Sequence, residues 1–440
     1  MHGIGTFENN DGDKYYGEFI NGKYDGTGHL TQTCGDIYKG SFLRGLASGI
    51  STQMKEGCVY RGYFEKGLRD GKGVCQYADK SRYTGDWKRN GREGLGSYIA
   101  NNGATYRGCW KRDKMWGVGT YNFANGDLYI GAFFAGKRKG RGLYRYSENK
   151  GTYEGFFENN QKHGEGYLHF ASGSHYKGSF EHDQRNGLGT YTFANGATQY
   201  GNFQKGMKHG AGVFIWPNGD RYNGEFKKDK ISGNGTMVYK KQRQKYTGQW
   251  ENNLRHGNGV LTCLNSVFSG EFCKGKKHGK GKIVDMPGTL LEESYCGGWF
   301  NDVKHGHGKK IYRKDLGTAY EGSWENNLRH GIGTLTYKDG SYYSGNFAHD
   351  YQSGFGKFVW KDSSWYEGSF SNNKRHGHGR AYDALSGTTY SGKFRNDLKH
   401  GKGKEVYENG NIFEGEWENG NMTGTGKYVC GTMKLKVMGY

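Results

Sequence analysis

The chain has 440 residues, 80 of them glycine and only 2 proline, with aromatics at 16% and a formal net charge of +20. Collagen needs glycine at every third position with abundant proline, and a disordered linker does not carry 35 tyrosines, 24 phenylalanines and 10 tryptophans, so both are excluded. What remains is a chain of many short strands joined by tight turns, with a surface that favours acidic partners.

The amino-terminal Met1-His2-Gly3-Ile4-Gly5 has no apolar core behind a basic start. No stretch approaches the ~20 apolar residues of a spanning helix, so the sequence predicts a soluble, unsecreted protein. The chain starts inside a repeat: Gly3-Ile4-Gly5 is the second half of a unit, either a natural cap or the beginning of a piece of something longer. From Tyr15 the motif aromatic-x-Gly-x-Trp/Phe recurs at eighteen starts, the last at Phe413, with Gln199 in place of the first ring once. The 398 residues between these starts hold seventeen intervals, a mean period of 23.4. About eleven residues after each start comes Gly-x-Gly, intact except at Gly49-Ile50-Ser51.

Each half of the unit reads as a strand. In Tyr83-Thr84-Gly85-Asp86-Trp87 the two rings and the glycine between them share a parity, so they face one side. Gly117, Gly119, Tyr121 and Phe123 do the same in a second half. Glycine weakens strands, and its recurrence needs a reason: rings of one strand lie over bare backbone of the next, where a Cβ would collide. Asn125-Gly126, Asn195-Gly196, Asn218-Gly219 and Asp339-Gly340 mark tight turns before the next aromatic strand. The predicted fold is therefore all-β, an elongated twisted single-layer antiparallel sheet of tandem 23-residue hairpins over residues 1–430. At ~10 Å per hairpin it is a rod on the order of 170 Å long. The segment Ile283–Glu293 is a longer inter-repeat loop, and residues 431–440 are a cap or tail.

Tyr320-Glu321-Gly322-Ser323-Trp324 followed by Arg329-His330-Gly331-Ile332-Gly333 resembles the MORN (membrane occupation and recognition nexus) repeat. The resemblance implies an elongated β-sheet, often in antiparallel dimers. It points to several kinds of relative: junctophilins, radial-spoke heads, parasite cytoskeletal scaffolds, and accessory regions of phosphatidylinositol-phosphate kinases and a lysine methyltransferase. A module of this kind defines a job only weakly.

Three sets of side chains are candidates for chemistry. His2, His163, His209, His256, His278, His305, His330, His376 and His400 precede the glycine pair, but hairpins set them ~10 Å apart, too far for a shared metal. Cys34, Cys58, Cys75, Cys109, Cys263, Cys273, Cys296 and Cys430 form no Cys-x-x-Cys pair and are expected as reduced cytosolic thiols. No phosphate loop, kinase triplet or nucleophile elbow is present, so the reading is non-enzymatic, without cofactor or metal. The remaining signal is basic. Two residues before the first glycine stand Arg69, Arg92, Arg138, Lys162, Arg185, Lys208, Arg255, Lys277, Lys304, Arg329, Arg375 and Lys399. Regular repeats place these in a row along one edge, a positive track for a partner; the competing reading is that they keep a flat sheet soluble and discourage edge pairing.

The leading functional expectation is a structural scaffold in a cytoskeletal assembly, most specifically the ciliary axoneme, located in cytoplasm and cytoskeleton. Its partners would be cytoskeletal or axonemal proteins, with an antiparallel homodimer as a further possibility. The alternative is a peripheral membrane protein whose basic track reads phosphoinositides or other anionic lipid. A third is an accessory region of a phosphatidylinositol-phosphate kinase; nucleic acid is the least favoured partner, since packing uses up most rings. If the track binds an acidic surface, glutamine at Lys277, Lys304, Arg329, Arg375 and Lys399 weakens partner recovery and leaves thermal stability unchanged.

Overall fold

A computed structural model describes residues 1–431. It contains 37 strands, from β1 (Gly3–Glu8) to β37 (Asn421–Val429), and divides into two compact units, Met1–Pro217 and Asn218–Tyr440. Within each unit the strands form an open antiparallel sheet and pair in chain order, each with the one before and the one after. The all-β hairpin array read from the sequence is thus the fold. The expected tail at 432–440 lies outside the described residues.

The hairpin of β28 (Ala319–Glu325) and β29 (Leu328–Thr336) shows why this sequence folds this way. Tyr320 opposes Leu335, Gly322 opposes Gly333, and Trp324 opposes Arg329. The Tyr320 ring lies flat over Gly333, where an added Cβ would stand 2.5 Å from the ring carbon Cζ. Its hydroxyl donates to the Ser323 carbonyl at 2.9 Å, so the phenol is satisfied although the side chain is fully buried. Edge-on contacts to Trp324 at 5.2 Å and to Phe347 of the next hairpin at 5.1 Å make each tyrosine a bridge between repeats. The indole of Trp324 donates to the Gly308 carbonyl of the preceding hairpin at 3.0 Å. No hairpin buries its rings alone; its neighbours complete the layer.

The glycines serve two purposes, of which the sequence showed one. The middle glycine of the aromatic strand and the second of Gly-x-Gly lie beneath rings, as expected. The first of the pair has a different reason. Gly331 sits at φ +66°, and here the register slips between Gly322 and Trp324, a β-bulge that returns Arg329 to the ring side.

Two turns alternate. Between β28 and β29, Asn326 (φ 49°) and Asn327 (φ 70°) form the paired left-handed turn that matches strand twist. Toward the next aromatic strand, Tyr337 N–H donates to the Ser341 carbonyl and Gly340 N–H to the Tyr337 carbonyl. The long loop is seven residues, 286–292, between β25 (Lys276–Asp285) and β26 (Glu293–Phe300). It folds on itself, with Thr289 bonded to the Met286 carbonyl and Gly288 N–H donating to Glu292 Oε2 at 2.8 Å.

Candidate functional site

The twelve basic residues occupy one register position, opposite the fifth-position ring of their own hairpin, as Phe64 faces Arg69 and Phe394 faces Lys399. That parity sets them on the ring side, and all twelve are half-buried. Every head group lies over a ring, from 4.2 Å for Arg92 on Trp110 to 5.8 Å for Lys162 on Tyr153. Arg69, Arg138, Arg185 and Arg255 cover rings in the same way, as do Lys208, Lys277, Lys304, Arg329, Arg375 and Lys399. The six repeats without a basic residue here use Tyr24, Ala47, Met115, Ile231, Gln352 or Met422. Tyr24 stacks on Tyr15 at 3.8 Å, and Ala47, Ile231 and Gln352 are buried. The position is a lid on the ring layer, filled by an apolar stem whether or not a charge follows.

The same residue is clasped by the next hairpin. Arg329 N–H and Nε both donate to Asp350 Oδ1 at 2.9 Å, an Nη donates to the Asp350 carbonyl at 2.7 Å, and Asp350 N–H returns a bond to the Arg329 carbonyl at 3.0 Å. Asp350 is the second left-handed turn residue of its hairpin, at φ 68°. Asp113 holds Arg92 and Asp397 holds Arg375 in this manner, while Asn160 and Asp183 cap Arg138 and Lys162. An Asn or Asp some 21 residues downstream carries no local signal, so spacing alone did not reveal it. Burial, and then the charge of Lys310, holds the Lys304 ammonium below the usual lysine range.

This geometry alters one expectation. Glutamine at Lys277, Lys304, Arg329, Arg375 and Lys399 removes five contacts to rings, each about 0.5–1 kcal/mol, and the bridges of Arg329, Arg375 and Lys399 to Asp350, Asp397 and Glu405. The variant is expected to unfold at lower denaturant concentration than the parent, against the unchanged stability read from the sequence. Denaturant titration followed by tryptophan fluorescence checks it; an unmoved midpoint would show that the lids contribute nothing.

The histidines stand beside the lids. His256 and His330 each approach a carboxylate at 3.5 Å, Glu251 and Glu325, while Nδ1 of His278 and of His400 is buried without a partner. Among the described residues no three His, Cys, Asp or Glu side chains gather as metal ligands. No described helix is long and apolar enough to cross a membrane.

The opposite face is the variable one. At the centre of Gly-x-Gly, Leu95, Val118 and Leu188 are exposed in the first unit. The second unit has Ile332 and Phe355 there, and the cross-strand pairs Lys309–Glu321 at 2.9 Å, Lys357–Glu367 at 3.6 Å and, further along, Lys404–Glu414 at 2.7 Å.

One hairpin departs from the glycine pattern. Where Ser51 replaces the second glycine, Tyr38 no longer lies over it, and the Ser51 hydroxyl donates to the Ser41 carbonyl, the acceptor that a tyrosine hydroxyl takes elsewhere. Sequence comparison follows this geometry. A profile of the MORN repeat matches seventeen stretches from 15–33 to 413–432 and passes over only the hairpin built on Tyr38 and Ser51. The chain belongs to the MORN repeat family. MORN arrays are repeat scaffolds for protein or membrane interactions, and that much holds for this chain. No curated protein matches it. Among solved structures, the SAS-4 TCP domain of Drosophila melanogaster, in complex with a proline-rich motif of Ana2, is 12% identical over 46% of this chain and 90% of that one, with a TM-score of 0.21. A streptogramin B lyase is 11% identical over 78% and 90%, with a TM-score of 0.10. Similarity at this level carries no argument about function.

Proposed function

We propose that this MORN array is a non-enzymatic structural scaffold that holds protein partners within a cytoskeletal assembly, the ciliary axoneme in particular. The observation that carries the scaffold reading is how the side chains are used. Rings, glycines and lids are spent on joining each hairpin to the next, which leaves the opposite face free to differ from repeat to repeat. Exposed apolar residues there, set among polar neighbours such as Asn202 opposite Leu188 and Asn346 opposite Ile332, have the make-up of protein contact sites. The axonemal narrowing rests on the resemblance to radial-spoke members alone.

The second reading, a phosphoinositide-binding peripheral protein, draws on the net charge of +20. It asks the twelve cations to reach headgroups, yet each is half-buried over a ring. The test is fractionation of a tagged full chain, followed by crosslinking mass spectrometry. Recovery in the detergent-resistant cytoskeleton, with crosslinks from outward lysines such as Lys309, Lys357 and Lys404, is expected. Recovery only with membranes would overturn the proposal.

A further inference from the structure

The outer face of the first unit changes character over two hairpins, β10 (Thr105–Lys111) with β11 (Lys114–Asn122) and β12 (Leu128–Phe134) with β13 (Lys137–Tyr146). These four strands contain no aspartate or glutamate. Residues 105–146 hold nine lysines and arginines against two aspartates, about a third of the chain's net charge of +20 in about a tenth of its length. Both acids are engaged within the fold: Asp113 by Arg92 at 3.1 Å, and buried Asp127 by the Tyr144 hydroxyl and the Ser147 N–H.

On the outer strands, Arg107, Lys111, Lys114, Lys137, Arg141 and Arg145 are exposed, with no carboxylate at ion-pair distance among the described residues; Lys139 beside them has Glu158 at 3.0 Å. Lys111 and Lys114 face each other directly across their hairpin, a like-charge pair that costs stability. The second unit neutralises the same face with its own lysine–glutamate pairs. Among these cations lies an apolar strip. Trp116 packs against Phe134 at 4.3 Å on the turn side, Ile130 opposes Leu143 on the other, and between them Val118 opposes Ala132. Val118 is 70% exposed and Phe134 50%. The register therefore leaves a shallow trough across the strands, with a floor of small apolar groups, apolar walls and a cationic rim.

We propose that this trough seats an acidic segment of a partner protein, with carboxylates on the rim and an apolar side chain over Val118. Charge complementarity selects an anion, and the floor selects one that also brings hydrocarbon. The rings argue against the other anions that a basic face attracts. The Lys111 ammonium stands 4.8 Å over Trp116 and that of Lys139 5.6 Å over Phe134, so the cations cover the rings. A bilayer takes up rings that stand clear of their cations, and bases stack only on an open ring face. The site rests on the reading of the outer face as a contact surface and not on the cytoskeletal assignment, whose failure in the fractionation would leave the affinities below unmoved.

Fluorescence anisotropy on the full chain tests it, with two labelled peptides of equal charge built of Glu-Glu-Leu and of Glu-Glu-Ser repeats. The leucine peptide is expected to bind, and the serine peptide about tenfold more weakly for want of a buried aliphatic side chain. Lys114→Glu, Lys137→Glu and Arg141→Glu together should weaken the leucine peptide by about tenfold or more while the melting temperature is kept. The same reversal at Lys276, Lys280 and Lys393, exposed in the second unit, should change its affinity by roughly twofold at most. Val118→Asn introduces the side chain that Asn234 and Asn258 supply in other repeats, and should bring the leucine peptide down to the level of the serine one. An unbound leucine peptide, or equal binding of the two peptides, would overturn the proposal. Equal losses in the two triple variants would mean attraction by net charge alone and overturn it too. Vesicles of phosphatidylcholine and phosphatidylserine should leave the peptide bound; its displacement by them would make the trough a membrane face and overturn the proposal as well.

Discussion

Gly224→Val is expected to destabilise its hairpin by about 3 kcal/mol or more, the upper range for overpacking. A Cβ at Gly224 would stand 2.5 Å from Gly235 Cα and 2.6 Å from the Asn234 carbonyl oxygen, and closer still to the Tyr222 hydroxyl. Two of these neighbours are ladder backbone and cannot move aside. The third is the phenol that bonds the Glu225 carbonyl at 3.0 Å, so relief by swinging Tyr222 forfeits that bond and uncovers Gly235. Asn223, one residue away, is exposed on the opposite face, and Asn223→Val should stay within about 0.5 kcal/mol of the parent. Gly233→Ala, at φ +68°, should fall between, costing about 1–2 kcal/mol through left-handed backbone strain. Hydrogen exchange across β20 (Arg221–Lys227) and β21 (Lys230–Tyr239) reads all three locally, which matters where stability is summed hairpin by hairpin. Equal loss of protection at 223 and 224 would refute the ring-over-glycine packing.

The repeat, its strand parity and the glycine packing were legible because they follow from local rules repeated many times. A period of two within each strand fixes which residues share a face, and eighteen copies average out any single exception. The sequence could not separate the two glycines of Gly-x-Gly. Gly331 and Gly333 share a parity, yet one is needed for its φ and the other for its missing Cβ. Nor could it assign a side to the basic row. The bulge opposite Trp324 shifts the register and turns Arg329 toward the rings, and the clasp that holds it comes from Asp350, in the next hairpin. Spacing located the twelve residues but was silent on which way they point.

Alkaline unfolding between about pH 10 and 12 is the second large effect expected of this architecture. Burial, ahead of any charge effect, pushes the phenols of Tyr60, Tyr106, Tyr129, Tyr176, Tyr222, Tyr246, Tyr320 and Tyr366 up to about 12, against about 10 in an unfolded chain. A tyrosine is neutral when protonated, so a raised folded value means that the folded state keeps a proton that the unfolded state gives up. Below pH 10 both states hold it and the full stability is present. Between 10 and 12 only the folded state does, so stability falls with every increment of pH, and above 12 the loss levels off. Each phenol is also a donor to the carbonyl three residues on, and ionisation abolishes the donor along with its neutrality. Tyrosinate absorbance and far-ultraviolet circular dichroism should therefore change together in that window. Tyr222→Phe separates the two roles: it should cost about 1 kcal/mol at neutral pH through the lost hydrogen bond, yet make β20 and β21 less sensitive to alkali than in the parent. Complete tyrosinate formation with the β-sheet signal intact would show that these phenols are free to ionise where they lie, and that the layer of rings over glycine is not what holds the hairpins together.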